Sequence, residues 1–270
     1  MKKSIIALAL FGAFAVPAFA QTAAPAAEAS PHTLTANVGL FSEYRFRGIA
    51  QTASHPAIQG GFDYSHSSGF YIGNWNSNVD ASAGFPDGNI EMDFYGGYKA
   101  AFGDFGLDVG GIYYYYPGSS VNGGKNNGDT VTNKEVYVGA SWKFISAKVY
   151  YSVDDYFSMR GLDSTGTATS KGTSGSFYGD LSAAYDLGDG WGVNAHLGYM
   201  DVKNQYNGDY ADWKLGVTKD INGWVIGAAY IGTDAKGGTS GVQPYRFTKA
   251  SGYSYDAGKD TIVVSVSRSF

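Results

Sequence analysis

The chain has 270 residues, 19 Lys and Arg against 24 Asp and Glu, and no cysteine. Its formal charge of −5 argues against nucleic acid as a partner, and without cysteine no disulfide can support the fold. Only 16% of residues are charged, against roughly 25% in an ordinary soluble domain, while Tyr (22) and Gly (39) are abundant, so much of the outer surface is expected to face something other than water.

The first twenty residues read as a secretory signal. Lys2 and Lys3 precede an apolar run over 5–16, and Pro17-Ala18-Phe19-Ala20 supplies small residues for cleavage after Ala20. The run is too short to span a bilayer, and no later segment approaches the roughly 18 apolar residues of a membrane helix. Loss of Lys2 and Lys3 would take the net charge from −5 to −7. Residues 21–31 read as a flexible Ala/Pro lead-in that includes no packed element. The fold is expected over 32–270.

Twelve strands are expected from period-two alternation. The first, over 33–47, places Leu34, Ala36, Val38, Leu40, Tyr44 and Phe46 on one face and Glu43, Arg45 and Arg47 on the other. The second, over 56–64, sets Ile58, Phe62 and Tyr64 against Gln59 and Asp63. The third, over 70–79, alternates too weakly for its faces to be assigned. The fourth, over 90–100, opposes Ile90, Met92, Phe94 and Tyr98 to Glu91, Asp93 and Lys99. The fifth, over 105–116, opposes Phe105, Leu107 and Val109 to Asp108 and Tyr114.

The sixth to eleventh strands carry apolar faces through Val136 to Phe144, Ala147 to Val153, Phe177 to Tyr185, Trp191 to Tyr199, Ala211 to Val217, and Trp224 to Tyr230. In the twelfth, over 261–270, Ile262, Val264, Val266 and Phe270 share one face with Arg268, and Val263 is the single apolar residue on the other. Arg268 is tolerated if it lies near a membrane edge, where a lipid-side Arg costs about 0–1 kcal/mol.

Two regularities select a closed membrane barrel over a soluble sandwich. Connections alternate between short turns, at 65–69, 101–104, 145–146, 187–190 and 220–223, and longer loops, notably 117–131, 158–175 and 232–259. Apolar faces also begin or end in Tyr, Trp or Phe, giving aromatic girdles at two heights. The expected fold is therefore all-β: a closed antiparallel transmembrane β-barrel of about twelve strands in the outer membrane, with both termini on the periplasmic side.

Tyr44-Arg45-Phe46-Arg47-Gly48-Ile49-Ala50-Gln51-Thr52, followed by Pro56-Ala57-Ile58-Gln59-Gly60-Gly61-Phe62-Asp63-Tyr64, resembles the signature of the TorF porin family. Glu91-Met92-Asp93-Phe94-Tyr95-Gly96-Gly97-Tyr98 and Tyr115-Tyr116-Pro117-Gly118 are similar to later blocks of that family. The resemblance implies a proteobacterial outer-membrane protein and adds little about its solute.

Strand parity then assigns the lumen. Glu43, Arg45, Arg47, Glu91, Asp93, Glu135, Asp154, Asp180 and Asp212 are expected to line its outer half, and Lys99, Lys143, Lys148, Asp63, Asp108 and Asp186 its periplasmic half. Seven acids against two arginines in the outer half would favour cations. The alternative is that these charges satisfy one another in a nearly closed lumen.

No catalytic or metal motif, and no cofactor signature, is legible. His32 falls in the lead-in, His55 in a loop, His66 in a periplasmic turn, and His196 on an inward position. None is placed to activate a lipid-facing serine. Asp186 to Gly190 mimics a calcium loop but reads better as a hairpin turn, and the Gly/Asn-rich stretch 123–129 as a solvated loop. The expected partners are outer-membrane lipid, small solutes and, through Phe270, the barrel-insertion machinery. A diffusion porin for small hydrophilic solutes stands first. A structural or adhesive barrel with a plugged lumen is second, and a lipid-modifying barrel enzyme a distant third.

Overall fold

A computed structural model describes residues 30–121 and 128–270. The expected signal peptide, nearly all of the lead-in, and residues 122–127 of the Gly/Asn-rich loop lie outside the described residues. The strands are β1 (His32–Phe41), β2 (Ala57–His66), β3 (Phe70–Asn78), β4 (Ile90–Phe102), β5 (Phe105–Tyr115) and β6 (Thr132–Trp142). They continue as β7 (Ile145–Ser152), β8 (Phe177–Gly188), β9 (Trp191–Asp201), β10 (Tyr210–Ile221), β11 (Trp224–Thr233) and β12 (Thr261–Ser269).

Each strand pairs antiparallel with its chain neighbours, and β12 closes on β1 through Val38 opposite Arg268 and Leu40 opposite Val266. The result is a closed barrel of twelve strands. Five connections are short, at 67–69, 103–104, 143–144, 189–190 and 222–223, and six are longer. The two-residue turns at Asp189-Gly190 and Asn222-Gly223 hold both residues at positive φ, the geometry that matches the twist of paired strands. His32 and Phe270 both lie at the short-turn end, where His32 begins β1 instead of belonging to a lead-in, and His66 ends β2 directly opposite it.

The outward faces form an apolar belt. Leu34, Ile58, Ile72, Val138, Leu197, Leu215 and Ile262 all project from it, Leu215 with 65% of its surface exposed. Aromatic residues bound it, with Trp191 at the short-turn end of β9 and Tyr199 eight residues on. Eight residues span about 26 Å along a strand, or about 20 Å along the barrel axis at the usual tilt, close to the height of a lipid-facing band. The faces of β3 are now clear. Phe70 and Ile72 face out, followed by Asn74 and Asn76, whose amides donate to the backbone carbonyls of Asp93 and Gly60. These two asparagines are why the strand's alternation is hard to read.

The long-loop half of the barrel is filled. The first strand stops at Phe41, not Arg47, and residues 43–53 turn into the lumen. Within them Arg45–Phe46 pairs with Ile49–Ala50 as a small hairpin. Tyr44 and Phe46, expected on the lipid side, are therefore buried inside, Tyr44 with 1% of its surface exposed. Inward apolar residues on the strands meet this insert: Ile112, Ile231 and Val263, the last fully buried. Phe85, Tyr116 and Phe157 from three other loops complete the packing, with Phe85 stacked on Tyr116 at 4.0 Å.

Candidate functional site: the charged lumen and its inserted hairpin

The hairpin turns at Arg47 (φ 47) and Gly48 (φ 78), so its tip is a tight turn with two left-handed residues. Glycine is needed at the second position, where a Cβ would also collide with Thr233 Cγ2 and Asp212 Cβ. The left-handed Arg47 is held by its side chain. Its Nη1 donates to Glu135 Oε1 at 2.9 Å and its Nη2 to Glu135 Oε2 at 2.7 Å, a bidentate pair. The guanidinium also lies over Tyr178 at 4.3 Å, Phe46 at 4.7 Å and Tyr150 at 5.1 Å, so an aromatic cage surrounds it.

Arg45 anchors the hairpin base. Its Nη1 donates to the carbonyls of Gly48 (3.0 Å) and Ala257 (2.9 Å), and its Nη2 to Glu43 Oε2 (3.1 Å). The Ala50 amide donates to Ala257, and the Asp80 amide to Gln51, so two other loops clamp the insert. Glu91 accepts from the Tyr44 hydroxyl at 3.1 Å and is 1% exposed. Its carboxyl also faces Tyr116 and Asp93, so two buried acids sit side by side.

A second network lies on β8, β9 and β10. His196 Nδ1 faces Asp180 Oδ2 at 2.7 Å, and its Nε2 faces Asp212 Oδ1 at 2.7 Å. Tyr178 donates to Asp212 at 2.9 Å. Ser182 lies 3.3 Å from His196 Nδ1 but donates to Asp180 at 2.8 Å. With both imidazole nitrogens committed to carboxylates, the ring has no nitrogen free to take a proton from Ser182, and this Ser-His-Asp grouping is not an activated nucleophile.

Seven of the nine residues assigned to the outer lumen are thus buried inside the barrel: Glu43, Arg45, Arg47, Glu91, Asp93, Glu135 and Asp212. Asp180 is also inward, on the His196 network. Asp154 is not. β7 ends at Ser152, parity no longer applies, and Asp154 pairs with Lys134 at the exposed rim at 3.0 Å. Lys148 is inside as expected and donates to Asp108 at 2.6 Å, Lys99 lies over the Tyr71 ring, and Asp63 accepts from Tyr95. Lys143 is not inside. It sits in a turn with its Nζ over the Trp142 ring at 4.5 Å. Asp186 caps its turn by accepting the Gly188 amide, the hairpin role expected of that stretch.

Sequence parity overlooked Lys214, which lines the same cavity as Arg47, Lys148, His196, Asp93, Asp180 and Asp212. That cavity, between hairpin and wall, has a volume of about 120 Å³, room for several waters. Toward the short-turn end the lumen wall is asymmetric. β3 to β7 present Tyr71, Tyr95, Tyr137, Lys99 and Lys148, while β10 to β12 present Gly216, Thr218, Gly227, Ser265 and Ser267.

Among solved structures the fold matches a structure titled "NanC porin", at 12% identity over 88% of this chain and 99% of that one, with a TM-score of 0.50. It matches a structure titled "KdgM porin" at 9% identity over 87% and 99%, with a TM-score of 0.51. At these identities the likeness establishes the barrel fold. No curated protein sequence matches the chain. The model of the family Gcw_chp, described as bacterial protein of unknown function, matches residues 25–270. The chain belongs to that family.

Proposed function

We propose that this protein is an outer-membrane porin that passes small hydrophilic solutes and favours cations, with the hairpin tip at Arg47 as its constriction. The observation that carries the reading is the division of side chains across one sheet: Leu215 and Ile262 face outward while Lys148, Asp180 and His196 on neighbouring strands face an interior cavity. Apolar residues outside and ionised residues inside are what a polar path through lipid requires. The small residues of β10 to β12 give that path its open side. Inward acids outnumber inward cations, Glu43, Asp63, Glu91, Asp93, Asp108, Glu135, Asp180 and Asp212 against Arg45, Arg47, Lys99, Lys148 and Lys214, which supports the cation preference. The long loops would then face outward and the short turns the periplasm. The likeness of residues 44–64 to the TorF porin family supports the same reading, as does the signal-like sequence ending at Ala20.

The test is swelling of liposomes that carry the folded protein, with sugars and amino acids of graded size outside. Entry of the smallest solutes, with a sharp size cut-off, is expected. The burial of Arg47 and Glu135 favours a second reading, a barrel whose lumen is permanently plugged. Liposomes that stay impermeable even to glycine would establish that reading and reject the first.

A further inference from the structure

We propose that the short-turn rim of the barrel is a docking surface for phospholipids with anionic phosphate headgroups. The protein has five tryptophans. Three of them, Trp142, Trp191 and Trp224, stand on this rim, facing outward and well exposed. Each carries a cation on its ring face. Lys143 Nζ lies 4.5 Å from the Trp142 centroid, and Lys219 Nζ 4.9 Å from that of Trp191. The Arg268 guanidinium lies 5.3 Å from Trp224 and 5.3 Å from Phe270.

The three cations come from a turn, from β10 and from β12, so no local sequence repeat produces the pattern. A cation laid on an indole keeps hydrogen-bond donors on its far side, at the height where lipid phosphates begin. The arrangement is strongest at Arg268, which two rings clamp on the lipid face. At Lys219 it is weaker, because its Nζ also donates to the Asp189 carbonyl. The turns of this rim also carry Asp104, Asp186, Asp189 and Asp220, of which Asp186 accepts from Gly188 and Asp220 from Gly223, so the cations lie on the outward indoles and the carboxylates at the turns.

The opposite rim has different chemistry. There the Tyr230 hydroxyl donates to Asp260, Lys134 is held by Asp154, and Tyr199 lies near Asp201, Asp209 and Asp234. One end of the belt therefore offers indoles with cations, and the other tyrosines with carboxylates. Charge complementarity assigns phosphate headgroups to the first. This inference rests on the barrel spanning a membrane and is independent of whether its lumen conducts.

Native mass spectrometry of the folded protein, in micelles holding equal phosphatidylglycerol and phosphatidylcholine, tests it. Preferential retention of phosphatidylglycerol is expected. Arg268→Gln should lower that preference about fivefold, and Lys143→Gln/Lys219→Gln/Arg268→Gln should abolish it, while Lys134→Gln on the other rim leaves it unchanged. Equal retention of the two lipids by the wild type would overturn the proposal, as would a triple variant with the wild-type preference. If heat-modified gel migration reports that the triple variant does not fold, the wild-type lipid ratio and Arg268→Gln decide the matter.

Discussion

The Arg47 guanidinium grips the Glu135 carboxylate with both terminal nitrogens, at 2.9 and 2.7 Å, across the inside of the barrel. The pair ties the inserted hairpin to β6, 88 residues away in sequence. Its neighbours are rings: Tyr114 donates to the same carboxylate, and Tyr150 and Tyr178 flank the guanidinium. Removing one member leaves the other charged and buried. Arg47→Ala is therefore expected to destabilise the barrel by about 3–5 kcal/mol, whereas Arg47→Met/Glu135→Leu should be near neutral. Urea unfolding from lipid vesicles measures both.

Gly48 occupies a left-handed position beside Thr233 and Asp212. Gly48→Ala forces a Cβ into those side chains and should cost about 1–3 kcal/mol. The readout is a lower midpoint in thermal gel-shift assays. Gly84, also at positive φ but with open space around it, is the comparison, and Gly84→Ala should cost less.

The lipid-facing belt makes a depth prediction. Leu215 lies at the middle of β10 and Ile221 at its short-turn end, both outward. Leu215→Arg should cost about 2–4 kcal/mol and Ile221→Arg about 0–1 kcal/mol. Refolding into vesicles along a urea series separates them. Equal costs would mean that the outward face is not in hydrocarbon.

Asp80 caps the short 3₁₀ turn Ala81–Ala83, which covers the inserted segment. Partial burial works to raise its carboxyl, but bonds from the Ser82 hydroxyl and amide, with Lys249 and His55 nearby, hold it below the usual carboxylate range. A depressed carboxyl contributes stability above its unfolded pKa, and the contribution fades as pH falls through the folded one. Asp80→Ala should therefore cost about 1 kcal/mol at neutral pH and progressively less below about pH 4.

The twelve strands were legible because a period of two is imposed by the sheet itself, and every run from Ile58 to Ile262 except β3, with Asn74 and Asn76 on its outward face, keeps it. The inserted hairpin was not. Tyr44-Arg45-Phe46-Arg47 alternates as a strand does, and alternation cannot tell a strand that continues up the barrel from one that folds inside. Arg47-Gly48 has both residues at positive φ, like Asp189-Gly190 and Asn222-Gly223, but arginine is no turn former, and Glu135 and the rings of Tyr150 and Tyr178, all distant in sequence, hold it there. One signal was available. Ile112, Ile231 and Val263 are apolar at lumen positions, which a water-filled tube does not call for, and each meets the insert or the loops around it. Asp154 and Lys143 were misplaced for the simpler reason that parity ends where the strand does.

Single-channel recording in planar bilayers under a KCl gradient, comparing the wild type with Arg47→Ala, tests the central claim most directly. Small cation-favouring conductance steps are expected from the wild type, and steps several-fold larger once the hairpin tip is released from Glu135. Silent membranes from both proteins, with folding verified, would contradict a conducting lumen. Equal conductance from both would contradict the hairpin tip as the constriction and place it elsewhere.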